Sequence, residues 1–341
     1  MPDQTPEEGE ARRILTGISP VAWEHPADRA ALNAVRKVPG FDLALRKVFG
    51  LFGEKALRLA FQANAVRVTE GQYPWIHERL ERVCRVLDVD PVPELYVSQT
   101  PVVNAGALGM NEPFIVLNSA LVEVLEPDEL EAVVGHEVGH IASGHALYRT
   151  LLVLLLRLSL FRYPVAGVAV RPILYALLEW YRKSELSSDR AGLLSVQDPE
   201  ASLRSLMKLA GGARGQELSL EEFVAQSDRY REEGDLLDSV YKALNVLGAT
   251  HPFAVARVAE LREWIESGTY ERILSGNYPR RGEEDDRPYR EDLAEALAGY
   301  RSSASDFLDQ VDAAVDRFRD RVSEAWHREP GFDAEEDGPA S

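Results

Sequence analysis

The chain has 341 residues, 45% of them hydrophobic, enough apolar material for one large core or two ordinary ones. Its 38 basic and 56 acidic side chains leave a formal charge of −18, which opposes nucleic acid and anionic membrane alike, so no nucleic-acid partner is expected. The single cysteine, Cys84, excludes an intramolecular disulfide framework and a cysteine-rich zinc module, so any metal must be held by histidines and carboxylates.

The opening MPDQTPEEGEARRIL is charged and shows no basic segment followed by an apolar run. Residues 1–16 therefore read as a disordered N-terminus without a secretory signal, and the cytoplasm as the location. Apolar spacing at Phe41, Leu45, Val48, Phe49 and Phe52 predicts one packing helix, and Leu57, Leu59 and Phe61 a second beyond Gly53. Another helix is predicted over Pro74–Leu87, placing Cys84 as a small core residue, before DVDPVPELYVS breaks it and opens a strand near Glu94. PFIVLN at Pro113–Asn118 reads as a second strand, and the two look like hairpin material. After a short helical signal over Ser119–Leu125, Pro127 and Asp128 start a long helix through ELEAVVGHEVGHIASGHALYRT, with its acids near the positive end.

Leu151–Trp180 is the most apolar region, yet Arg157, Arg162 and Arg171 leave no uncharged run there beyond eight residues. A spanning helix needs roughly 20 largely apolar positions, so the segment reads as a helical hairpin broken near Tyr163 and Pro164, with peripheral membrane contact as the remaining alternative. Further helices are expected at about Tyr175–Ser195, Pro199–Ala210 and Leu220–Tyr230. An acidic linker, 281–290, then leads to an amphipathic helix over 291–327 and a disordered acidic tail, 328–341. From Glu283 onward 18 acids face 7 bases, so −11 of the net charge sits in this region. The apolar stripe of that helix either docks on the main domain, residues 17–280, or drives self-association as a coiled coil.

His136, Glu137 and His140 form HExxH inside the long helix. Residues four apart differ by about 40° around a helix, so both imidazoles leave one face and can share a tetrahedral zinc, while Glu137 is placed to take a proton from a water on it. Such a site needs a third protein ligand. His145 lies five residues beyond His140, about 140° around a continuous helix, and reads as a solvated residue of the last turn. Glu185 in RKSELSSDRAGL is the better candidate, with Asp189 one turn on to bond the distal nitrogen of a ligating histidine. His25, His77 and His327 show no evident partners.

NAGALG, PFIVLNSALVEVL, PDELEAVVGHEVGHIASGH, ELSSDRAGL and THPFAVARVAEL, in that order, resemble the zinc metalloprotease family of the heat-shock protease HtpX and the CAAX prenyl protease over about Asn64–Glu263. The resemblance implies a gluzincin-type fold, zinc on His136, His140 and Glu185, and Glu137 as general base. It further implies that Asp189 orients a ligand histidine, that His251 and Arg257 support the transition state or substrate, and that Asn104, Ala105 and Gly106 lie along the cleft and pair with an extended peptide. Many members of that family have clear membrane spans, which this chain lacks.

The expectation is an α+β, mainly helical zinc metalloprotease domain with a small β-sheet beside the HExxH helix. Its activity would be that of a soluble endopeptidase acting on protein or peptide substrates. The alternative is a binding or chaperone-like protein that keeps a structural zinc site and assembles through its C-terminal helix.

Overall fold

The computed structural model of the chain describes residues 12–51, 54–160, 170–212, 217–231 and 253–282. The helix read over 291–327, the tail 328–341, nearly all of the linker 281–290, His251 and the first eleven residues lie outside them. The helices are α1 (Pro26–Lys37), α2 (Phe41–Leu51), α3 (Glu54–Gln62), α4 (Pro74–Val86), α5 (Ser119–Val124), α6 (Pro127–Ala142), α7 (His145–Leu160), α8 (Val170–Val196) and α9 (Pro199–Gly211). They continue with α10 (residues 220–231), α11 (Ala254–Glu266) and α12 (Thr269–Leu274). The strands are β1 (Ala65–Arg67), β2 (Glu94–Ser98), β3 (Ala105–Leu108) and β4 (Phe114–Asn118). The class is the expected one, mainly helical with one small sheet.

The sheet order is β1-β2-β4-β3, which corrects the expected hairpin. The strands β2 and β4 are neighbours but parallel, Tyr96 opposite Val116, and β4 instead forms its antiparallel hairpin with β3, Ala107 opposite Ile115. Parallel neighbours cannot be joined by a tight turn, and the intervening chain supplies β3 itself. The strand β4 is buried at four of its five positions because both faces are covered, whereas β3, small and alternating, is left at the sheet edge against α6.

The helix α6 is buried from Glu129 to His140, including its polar residues. It packs antiparallel on α8 at a distance that only small residues permit. A Cβ on Gly135 would land inside the Ser195 side chain, and one on Gly139 inside the methyl of Ala191. Gly192 faces back, where a Cβ would meet the Ala132 carbonyl oxygen at 2.8 Å. Glycine in a helix interior costs about 1 kcal/mol relative to alanine. Here it lets two backbones approach and sets the His136/His140 face over Glu185 and Asp189.

The long helix expected to continue through Thr150 is two helices. Its run ends at Ala142, Gly144 takes a left-handed φ of +72°, and His145 starts α7 in a new direction. Ser143-Gly144 is a C-terminal stop of the usual kind, since glycine enters that conformation without a Cβ penalty. One apolar core joins the sheet to α4, α6, α8 and α11; a second lies between α1, α2, α7 and the first half of α8, around Trp180 and Leu155. Among the described residues no helix is long and apolar enough to cross a membrane.

The N-terminal boundary falls earlier than residue 16. Leu15 and Ile18 are fully buried, Leu15 N–H donates to the Val86 carbonyl at 2.9 Å, and Arg12 pairs with the buried Glu131. Helix α1, which apolar spacing did not announce, is started by Pro26 and capped by His25, whose Nδ1 accepts the Ala27 N–H at 3.1 Å. His25 Nε2 also lies 3.4 Å from Glu260, so His25 is not partnerless, and His77 lies 3.9 Å from Glu81.

Candidate metal centre

Antiparallel packing of α6 on α8 brings His136 and His140 against Glu185, all three buried. The two Nε2 atoms are 3.1 Å apart, His140 Nε2 is 3.2 Å from Glu185 Oε1, and His136 Nε2 is 3.6 Å from Glu185 Oε2. A tetrahedral zinc with bonds near 2.0–2.1 Å has ligand-to-ligand edges of about 3.3 Å, which these separations bracket. The chemistry of the donors points the same way. Two imidazole lone pairs and a carboxylate oxygen converging in a buried space repel one another unless a cation lies between them.

The outer contacts fix which nitrogen carries each proton. His136 Nδ1 lies 2.9 Å from Asp189 Oδ1, a carboxylate that only accepts, so Nδ1 holds the proton and Nε2 presents its lone pair to the cluster. Asp189 is in turn gripped by Arg257 from α11, Nε to Oδ2 at 2.8 Å and Nη2 to Oδ1 at 2.5 Å. Burial alone would raise the Asp189 pKa; the charge and bonds of Arg257, then His136, outweigh it and hold the carboxyl below its ordinary range. Burial also pushes the pKa of His140 well down, against the opposing pull of Glu185, which favours the neutral imidazole that a metal requires. Arg257 Nη1 reaches Glu185 Oε2 at 3.2 Å, and Tyr181, one turn before Glu185, hydrogen-bonds the same carboxylate.

Arg257, expected beside the transition state, is thus committed to Asp189 and Glu185, with 7% of its surface exposed. It also lines the cavity on which His136 and Glu137 open. His145, expected to be solvated, is buried at 1% exposure. The break at Gly144 cancels the 140° offset of a continuous helix and turns the imidazole back, Nδ1 3.0 Å from His140 Nδ1.

Glu137 projects beside the cluster. Its Oε2 accepts the Ala107 N–H at 2.6 Å and Arg149 Nη1 at 3.0 Å. No described group donates to Oε1. Sequence reasoning missed Arg149 and Tyr181, although an arginine in the apolar run LYRTLLVLLL is a signal, because a charge on a buried face requires a partner.

A cavity of about 460 Å³ opens on His136, Glu137 and Glu185, lined also by Asn104, Ala105, Leu206, Leu209, Phe253 and Arg257. Of the segment expected to pair with a peptide, Asn104 and Ala105 line this cavity, but Gly106 does not and faces the Arg149 guanidinium. The free edge of β3 is already engaged: Arg149 Nη2 donates to the Ala105 carbonyl at 3.0 Å, Ala107 N–H is held by Glu137, and Gly109 N–H by Thr150 Oγ1 at 2.9 Å. Three backbone groups along 105–109 are thus held by side chains of α6 and α7.

Residues 70–265 match the model of peptidase family M48. Among curated proteins, the chain is similar to the plastoglobule-localized metallopeptidase 48, chloroplastic, of Arabidopsis thaliana. The two are 32% identical over 258 residues, covering 74% of this chain and 74% of that protein. It is also similar to protease HtpX homolog 2 of Methanosarcina acetivorans, at 25% identity over 58% of this chain and 74% of the relative. A protease HtpX homolog of Methanocaldococcus jannaschii is 34% identical over a shorter stretch, 26% of this chain and 31% of the relative. No solved structure matches the chain.

Proposed function

The chain belongs to peptidase family M48, and on that premise we propose that it is a zinc-dependent endopeptidase in which His136, His140 and Glu185 hold the metal and Glu137 is the general base. The observation that carries this reading is the set of ligand separations, 3.1, 3.2 and 3.6 Å, with an ionisable carboxylate beside them that is not part of the set. A structural zinc site generally closes with four protein ligands, and three ligands plus a neighbouring Glu favour hydrolysis over the binding-protein alternative.

Bound there, zinc would supply a Lewis acid for the scissile carbonyl and bring the pKa of a water toward neutrality. The chain's own groups do the rest. Glu137 Oε1 takes the proton of the attacking water and returns it to the departing amine, while Oε2 stays tied to Arg149 and to the Ala107 N–H, which fixes the carboxylate in place. Asp189, clamped by Arg257, holds His136 in the tautomer that leaves Nε2 free. Substrate enters the cavity beside Asn104 and Ala105, with side chains toward Leu206 and Leu209. Since Arg257 is occupied, the oxyanion donor besides the metal is assigned to His251, two residues before the cavity-lining Phe253.

The test is metal content and casein cleavage of the purified chain against Glu137→Gln. One zinc per chain in both proteins, with cleavage in the wild type alone, is expected. Equal cleavage by both, or a wild type that takes up no zinc, would overturn the reading.

A further inference from the structure

His145 is not among the metal-holding residues, yet it joins His140 to the N-terminal helix. Two ring nitrogens facing each other can form a hydrogen bond only if one carries a proton and the other does not, and His140 Nδ1 and His145 Nδ1 stand 3.0 Å apart. The other side of His145 decides which. Its Nε2 lies 3.1 Å from Asp28 Oδ2, an acceptor, so Nε2 carries the proton of a neutral His145 and Nδ1 offers a lone pair. His140 must then donate from Nδ1, and its Nε2 is left unprotonated toward His136 and Glu185.

Asp28 is itself held rigidly. Ser187 Oγ donates to Oδ2 at 2.6 Å and Trp180 Nε1 donates to Oδ1 at 2.9 Å, both from α8, the helix that carries Glu185. The Trp180 ring also stands edge-on to His145, with centroids 5.6 Å apart. Asp28, His145, Trp180 and Ser187 are each exposed by 1% or less, so no water competes for these bonds. Asp28 belongs to α1, well before residue 70, where the family match begins.

We propose that α1 is an integral part of the metal centre: Asp28, acting through His145, is a positioning residue that sets the tautomer and ring orientation of His140, as Asp189 does for His136. Each ligand histidine thus has its own carboxylate, one direct and one relayed through a second imidazole. This rests on the reading of His136, His140 and Glu185 as the zinc ligands. A ligand histidine that must first find its tautomer and rotamer binds metal more weakly, and loss of such an outer partner typically costs about 10 to 100-fold in affinity.

The experiment is zinc affinity by chelator competition on the full chain for wild type, His145→Ala, His145→Gln, Asp28→Asn and Glu185→Ala, with thermal unfolding of each zinc-free protein alongside. His145→Ala and Asp28→Asn are expected to bind zinc about 10 to 100-fold more weakly. The amide of His145→Gln, which both accepts and donates, should recover part of that loss. A relay that served only the core would lower thermal stability and leave zinc affinity at the wild-type value, which would overturn the proposal. Retention of zinc by Glu185→Ala would instead remove the ligand assignment beneath it. Should the variants fail to fold, side-chain nitrogen NMR of the wild type still decides: His145 unprotonated at Nδ1 and protonated at Nε2 is expected, and a proton on His145 Nδ1 would overturn the relay.

Discussion

Arg149 Nη1 lies 3.0 Å from Glu137 Oε2, and the same guanidinium donates from Nη2 to the Ala105 carbonyl, so one buried cation ties Glu137 of α6 to the edge strand β3. The pair is buried at 6% and 3% exposure, and Arg149 also lies over the Tyr181 ring, 5.2 Å from its centroid. Removing one partner of a buried ion pair leaves an uncompensated charge, at a cost of about 3–5 kcal/mol. Arg149→Ala should therefore lower urea stability by about that amount and reduce turnover while zinc content holds. Unchanged stability and turnover would mean that Glu137 needs no counter-charge.

Of the ligand substitutions, His136→Ala and His140→Ala should abolish zinc binding, because two remaining donors make an incomplete shell. Asp189→Asn should retain zinc with affinity weakened about 10 to 100-fold. Arg257→Ala belongs with Asp189→Asn, since its contacts run to Asp189 and Glu185. An Arg257→Ala protein with wild-type zinc affinity and depressed turnover would put the arginine back beside the substrate.

Gly139→Ala tests the close approach of α6 to α8. The added methyl would overlap that of Ala191, and overpacking of this kind typically costs about 1–3 kcal/mol. Because the displaced helix carries His136 and His140 away from Glu185, zinc affinity should fall with stability. Gly144→Ala, where φ is +72° and no atom lies within 4 Å of the added Cβ, should act through backbone strain alone. Equal zinc affinity in wild type and Gly139→Ala would show that the glycine contact does not set the ligand spacing.

Burial, with a smaller contribution from Glu81, pushes the Cys84 thiol up from 9.0 to about 12. At pH 8 its thiolate fraction is about a thousandth of the free value, so a disulfide reagent should label it immediately in denaturant and far more slowly in the native chain. Between pH 9 and about 12 the folded chain keeps a proton that the unfolded chain releases. Stability should accordingly fall as pH rises through that window. Rapid native labelling at pH 8 would place the thiol at the surface.

His251→Ala should lower turnover on casein about 10² to 10³-fold with zinc content unchanged, as loss of one preorganised oxyanion donor does. Activity equal to wild type, under conditions in which Glu137→Gln is inactive, would return His251 to the status of a turn residue.

Local spacing settled the centre of the site. His136 and His140 had to share a face because a helix repeats every 3.6 residues, and Glu185 and Asp189 share theirs for the same reason. The helices over Pro74–Val86 and Pro199–Gly211 and the strand over Phe114–Asn118 were legible from the same periodicities. Three features were decided only in three dimensions. The sheet order turned on β3, four small residues whose alternation is too weak to read until β4 and α6 lie on either side. The burial of His145 turned on a single left-handed glycine: Ser143-Gly144 signals a helix end, but only packing against Asp28 and His140 sets the direction in which the chain restarts. Asp28 and Arg257 lie far along the chain from His145 and Asp189, the residues they contact. Alone, Asp28 is an ordinary first-turn acid beside Pro26, and its contacts with Trp180 and Ser187 exist only because α1 packs against α8. Periodicity reports which residues share a face of one element; which faces meet is fixed by the packing of the whole core, and the charges around His136, His140 and Glu185 are brought there by contacts between such faces.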